Sequence, residues 1–280
     1  SPIPGATVTI SYTGDPDSPI ETLTTDESGQ TPEINLKAPP RELSLTPDIT
    51  EQPYSEYNIQ VTAEGFETVW VSGSEILAGA YSLQPIRMNP LDVTEEEEKV
   101  VVIPPHTLFG EYPPKIPEEE IKPMNETGEI VLSRVVIPEY VIVHDGDPED
   151  PTARNYWVRY KDYIKNVASS EIYPTWSESA IYANILVIQS FTLNRVFTEW
   201  YRGKGYDFTI TSSTAYDQKW IYGRNVFEEI DYLVDSIFTN YLSRPGVRQP
   251  IFTSYCDGNR TTCRGLSQWG SQSLAEQGYS

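Results

Sequence analysis

Positive charge is what this chain most lacks: 20 Lys and Arg stand against 41 Asp and Glu, a formal net charge of −21 with a pI near 4.4. Such a surface repels phosphate backbones and anionic lipid headgroups, which excludes nucleic-acid binding and docking on an anionic membrane. No run approaches the roughly 20 apolar residues needed to span a bilayer. Ser1-Pro2-Ile3-Pro4-Gly5 offers neither a basic start nor an apolar core for a signal peptide, so the chain reads as beginning within a longer one. Histidine is almost absent, and His106 and His144 stand far apart without a ligand-pair spacing, so no metal site and no cofactor are expected. Only two cysteines occur, Cys256 and Cys263. Their closeness points to a disulfide-pinned loop and an oxidising, extracytoplasmic setting, with a Cys-Cys zinc pair as the alternative.

What is abundant is proline and aromatic surface: 23 Pro, 19 Tyr and 6 Trp in 280 residues. That composition suits carbohydrate contact, and equally a β-rich surface protein. The length leads us to expect two domains. Residues 1–91 read as a small β-sandwich. Segments such as Ala6–Tyr12, Ile20–Thr24, Ile34–Leu36, Tyr57–Ala63, Phe66–Val71 and Tyr81–Met88 are short strands, separated by turn chemistry at Gly14–Pro19, Asp26–Gly29 and Glu64-Gly65. Residues 92–128 read as an acidic, proline-rich linker, although His106, Leu108, Phe109, Tyr112 and Ile116 are apolar enough to lie against a domain. Residues 129–280 read as a mixed α+β domain opening with a strand pair over Glu129–Val143.

The centre of that domain is Tyr156–Trp200. Val158, Tyr163, Ile164 and Val167 give a helical apolar face that ends near Ser169-Ser170, and Pro174 forbids continuation. A second helix starts at Ser177 as N-cap, with Trp176 stapled onto Ile181. Glu171 is left on the joint, among Ile172, Tyr173 and Trp176. A carboxylate amid aromatics loses hydration and holds its proton more tightly, which is how a general acid is made. The plain alternative is an ordinary loop glutamate. Further on, Tyr206–Ile210 and Pro250–Tyr255 read as strands, Ser212–Gly223 as a polar, aromatic loop, and Ile230, Leu233, Val234, Ile237 and Tyr241 as one face of a helix.

Two resemblances sharpen this reading. Pro4–Val8, Thr24–Thr31 and Ala63–Thr68 resemble the carboxypeptidase-regulatory, prealbumin-like family, which implies a seven-stranded sandwich lacking its first strand here and serving as spacer or assembly module. Its unpaired sheet edge would permit self-association. Asp162–Ile172, Ser213–Gln218 with Tyr222-Gly223, Pro250-Ile251 with Ser254-Tyr255, and Leu266–Gly270 occur in the order of the stage II sporulation protein D family of lytic transglycosylases and amidase enhancers. That resemblance covers residues 129–280, and the family pattern continues beyond Ser280.

It implies peptidoglycan glycan strands as substrate or partner, a cell-wall or spore-envelope location, and Glu171 as the catalytic acid. Candidates for sugar contact are then Tyr173, Gln189, Gln218, Tyr255, Ser267 and Gln268, with Trp176 and Trp269 as stacking faces. The chain departs from the family at Tyr182 and Gln189, where basic residues are usual, and at Thr261–Gly265. Nor is there a histidine and cysteine about Thr214–Gln218, where some members bind zinc. A non-catalytic glycan-binding or structural surface protein is therefore the alternative to an enzyme.

Overall fold

The computed structural model describes residues 1–91, 98–120, 122 and 132–280. Residues 92–97 of the expected acidic linker lie outside these residues, as does the start of the expected strand pair at Glu129. The chain is mixed α+β with several sheets. Its strands are β1 (Thr7–Tyr12), β2 (Asp15–Thr24), β3 (Ser55–Thr62), β4 (Thr68–Ile76), β5 (Ser82–Leu83) and β6 (Glu98–Val102), then β7 (Tyr140–His144), β8 (Asn155–Arg159), β9 (Ile210–Thr211), β10 (Val226–Phe227), β11 (Tyr255–Cys256) and β12 (Leu266–Ser267). The α-helices are α1 (Tyr160–Glu171), α2 (Glu178–Phe197), α3 (Glu228–Ile237) and α4 (Gln268–Glu276). No helix among the described residues is long and apolar enough to cross a membrane.

Two compact units emerge: Ser1–Pro105 with Tyr222–Glu228, and His106–Ile221 with Glu229–Ser280. Residues 106–120, read from the sequence as linker, thus belong to the second unit. Short strands of alternating polarity build the first. Its five-stranded sheet runs in the order β2-β1-β3-β4-β6, antiparallel except for the parallel β4–β6 pair. The period-2 pattern buries Val8, Ile10, Ile59, Val61, Val69, Val71 and Val101 on one face. A bulge in β4 falls where Gly73 has φ +90°, and a side chain there would meet the Ile103 carbonyl at 2.7 Å.

Several expected elements differ. Gly14–Pro19 is mostly strand, because β2 lies at an exposed sheet edge where Pro16 and Pro19 owe no ladder hydrogen bond. Ile34–Leu36 is not a strand; the segment is instead anchored through the Lys37 carbonyl, which accepts from the Tyr57 hydroxyl at 2.6 Å. Only Ser82 and Leu83 of Tyr81–Met88 are strand, paired with Phe227 and Val226. Beside that pair, Asn225 acts as a side-chain strand. Its Nδ2 donates to the Glu75 carbonyl and to Ser82 Oγ, both at 2.8 Å, while its Oδ1 accepts from the Glu75 N–H at 3.2 Å. Arg224 Nη2 then meets Glu75 Oε2 at 3.1 Å, both side chains fully buried.

The second unit centres on β7, flanked by β8 antiparallel and β9 parallel. Val158 sits on β8 opposite Val141 rather than on a helix, since Asn155–Arg159 alternates as strands do. Helix α1 follows at once and runs to Glu171, so the glutamate closes the helix instead of lying beyond it. Helix α2 starts after Ser177 as expected, but the Ser177 side chain makes no cap bond; its own N–H donates to Gln272 of α4 at 2.9 Å. Asn184 of α2 reaches Ser271 at 2.8 Å, a second tie between these helices. The remaining expected strands shrink to β9 and β11.

Candidate functional site

Glu171 is buried, at 6% exposure, where α1 gives way to the extended Ile172. The negative end of a helix disfavours a carboxylate there. Its Oε1 accepts the Lys219 N–H at 2.9 Å, while Oε2 has no hydrogen-bond partner among the described residues. Burial holds its proton-binding above the ordinary carboxylic range, outweighing the Lys219 N–H, the Lys115 charge and the Tyr255 hydroxyl, which act in the opposite direction.

Gln218 and Tyr255 are brought to this carboxyl, though not as free sugar-binding groups. Gln218 is fully buried, and its Oε1 accepts from Tyr163 Oη at 3.1 Å and Thr192 Oγ1 at 2.7 Å. Its Nε2 donates to the Ile188 carbonyl and to the Tyr255 hydroxyl, each at 3.1 Å. Burial and the Glu171 charge keep the Tyr255 phenol protonated.

Tyr173, Trp176 and Trp269 form an aromatic cluster. Trp176 lies 4.9 Å from Trp269 between ring centroids, and Tyr173 lies 6.1 Å from Trp176 and 6.2 Å from Trp269. His106 stacks on Tyr173 at 4.5 Å. Tyr173 and Trp176 are buried, and Trp269 is half-exposed. Of the two stacking faces expected, only Trp269 is open enough to meet a ring from solvent.

Ser267 caps α4, its Oγ accepting the Gly270 N–H at 2.9 Å, and Gln268 is buried in the first turn. They are carried there by the parallel pairing of β11 with β12, Tyr255 opposite Leu266 and Cys256 opposite Ser267. Cys256 and Cys263 are disulfide-bonded within that return. Gly265 permits the approach: a Cβ there would lie 1.5 Å from the Ser254 carbonyl oxygen. The same loop presents Arg260, whose guanidinium donates to the carbonyls of Thr107, Phe109 and Gly110 at 2.6–3.3 Å.

Gln189 is not among these groups. Its amide is spent on the carbonyls of Ile237 and Asn240, at 3.0 and 2.6 Å, and fastens α2 to the end of α3. Tyr182 is exposed. The cations of the site come from places the sequence reading passed over. Arg195, two turns beyond Gln189, is fully buried and forks onto Glu118 at 2.9 and 2.6 Å, with its Nε on Asp217 at 2.7 Å. Lys115, from the proline-rich segment, donates to the Asp217 carbonyl at 2.7 Å. Asp217 also accepts from the Tyr201 hydroxyl at 2.6 Å and from Thr211 N and Oγ1 at 2.9 and 2.7 Å. A lone lysine inside Tyr112-Pro113-Pro114-Lys115-Ile116-Pro117 was the one available clue.

No group of three or more His, Cys, Asp or Glu among the described residues could hold a metal ion. His106 is engaged at both nitrogens, Nδ1 accepting the Leu108 N–H and Nε2 facing the Ile172 carbonyl, each at 3.2 Å. No family model, curated protein or solved structure matches the chain.

Proposed function

We propose that the second unit cleaves peptidoglycan glycan strands as a lytic transglycosylase of the stage II sporulation protein D type, with Glu171 as its acid and base. The observation that carries the reading is Glu171 itself: a buried carboxyl, pushed toward its protonated form, with Oε2 uncommitted. The charged side chains that act on it most strongly, Lys115 and Lys219, are cations. One carboxyl suffices for this reaction. The acid protonates the glycosidic oxygen, the bond from the muramic anomeric carbon to that oxygen breaks, and the sugar's own 6-hydroxyl attacks the same carbon. That hydroxyl yields its proton to the Glu171 carboxylate, closing a 1,6-anhydro ring and restoring the acid. An intramolecular nucleophile removes the need for a second carboxylate holding water.

The first unit, in this reading, is a prealbumin-like sandwich forming a separate domain, used for placement or self-association through a sheet edge. The disulfide suits an extracytoplasmic wall or spore-envelope setting. Incubating the whole chain with purified sacculi should release anhydromuropeptides detectable by mass spectrometry. Glu171→Gln should lose that product while still pelleting with sacculi. Equal product from the variant would remove Glu171 from the role. The degree of enclosure of Glu171 favours a second reading, a glycan-binding protein that does not cut, and wild-type chain that pellets without releasing product would establish it.

A further inference from the structure

Three consecutive residues each hold one member of the site. The Asp217 carbonyl accepts from Lys115 Nζ at 2.7 Å, the Gln218 amide donates to Tyr255 Oη at 3.1 Å, and the Lys219 N–H donates to Glu171 Oε1 at 2.9 Å. This bracket is rigid, because the Asp217 side chain is locked by Arg195, Tyr201 and Thr211. Lys115 arrives on a different part of the chain. Pro113, Pro114 and Pro117 restrict the backbone on either side of it, and the Ile116 N–H is tied to the Ala215 carbonyl at 2.7 Å. Its ammonium lies 4.5 Å from the Phe191 ring centroid and 5.1 Å from that of Tyr255. The residue is half-buried.

We propose that Lys115 is a positioning residue for the Glu171 carboxyl: a fixed cation, delivered by the proline-rich segment, that stabilises the carboxylate form and so sets the pH range over which Glu171 holds and releases its proton. The charges facing the pair are limited in number. On Lys115 burial works against the charge and outweighs its surroundings, in which Glu171, Asp217 and Glu118 favour the ammonium and Arg195 opposes it. On Glu171 Lys115 acts with the Lys219 N–H and side chain and the Tyr255 hydroxyl. Arg195 is already committed to Glu118 and Asp217, leaving Lys115 as the leading side-chain charge on the acid. The consequence for catalysis rests on the reading above; the electrostatic coupling does not.

The sign is fixed. Removing the cation makes the carboxylate less stable, so Glu171 keeps its proton to higher pH. In the full chain, carbon-13 NMR of labelled glutamate, with Glu171 assigned by its loss in Glu171→Gln, reads the midpoint directly. Lys115→Met should shift it to higher pH, and Lys115→Arg should return it toward wild type. Coupling is reciprocal, so Glu171→Gln should lower the Lys115 ammonium midpoint by the same amount. An unmoved Glu171 midpoint in folded Lys115→Met overturns the proposal. Should that variant fail to fold, an unmoved Lys115 midpoint in Glu171→Gln overturns it equally. If the wild type cuts glycan, the alkaline limb of product release should rise with the midpoint in Lys115→Met. Absence of product from wild type removes the transglycosylase reading and leaves the NMR result to decide Lys115.

Discussion

Glu75 supplies a stability test independent of any activity. It is fully buried beside Arg224, yet only its Oε2 meets the guanidinium, at 3.1 Å, and Oε1 has no partner among the described residues. Burial therefore outweighs the Arg224 charge and raises its pKa from 4.5 to about 7. The folded state then holds the proton more tightly than the unfolded chain, so stability is highest below 4.5 and falls as pH rises toward about 7. At about 1.4 kcal/mol per unit, the loss across that window is on the order of 3 kcal/mol. Glu75→Gln keeps the shape and cannot ionise, so its first unit should lack this decline. Hydrogen exchange of β3 and β4 amides, corrected for intrinsic rates at each pH, reports opening of that unit. The difference between wild type and variant should change by about 3 kcal/mol between acid and neutral pH. Parallel pH profiles would refute the assignment of a buried, proton-retaining carboxyl at Glu75.

The second unit yields three further expectations. Asp217→Asn removes the charge beneath the buried Arg195 guanidinium and should cost about 3 kcal/mol, read from the urea midpoint of the full chain. Gly265→Ala should force β12 away from Ser254, so the Leu266 amide, which donates to the Ser254 carbonyl at 3.0 Å, should lose its exchange protection. Thiol labelling of the unreduced, denatured chain should find neither Cys256 nor Cys263, and reduction should lower stability by about 2–3 kcal/mol in a thermal melt.

Local chemistry made part of this site legible in the sequence. Pro174 forbids continuation of α1 and Ser177 opens α2, so Glu171 could be placed between them to within one residue. The closeness of Cys256 and Cys263 marks their loop, and the bonded pair decides between a disulfide and the zinc pair that the same spacing allows. The strand Asn155–Arg159 reads as part of the helical pattern only if Val158, five residues before Tyr163 and off the 3.6-residue repeat, is counted with it, and pairing with Val141 reveals its state. Gln189 could not be excluded from the site, since the carbonyls that occupy it, Ile237 and Asn240, lie some fifty residues away. Lys115 and Arg195 were missed for the same reason. A lone buried cation leaves no periodicity, and its partner is a carbonyl or carboxylate distant in sequence. Asn225 shows the limit clearly: a side chain that completes β4 is invisible to any strand pattern.

The proton arrangement around Glu171 follows from Gln218. The Ile188 carbonyl can only accept, which fixes the Gln218 atom facing it as the amide nitrogen and the other, toward Tyr163 and Thr192, as oxygen. The nitrogen's second proton goes to the Tyr255 hydroxyl, so the phenol accepts from Gln218. The carboxyl accepts the Lys219 N–H, and the Lys115 charge and the Tyr255 hydroxyl also act on it. Such surroundings favour the charged form, and burial opposes them with a larger effect. Opposing effects of this kind on its proton suit the proposed role, in which the same carboxyl gives a proton and takes one back. An ordinary helix-terminal glutamate would turn to solvent instead of being buried against the Lys219 N–H.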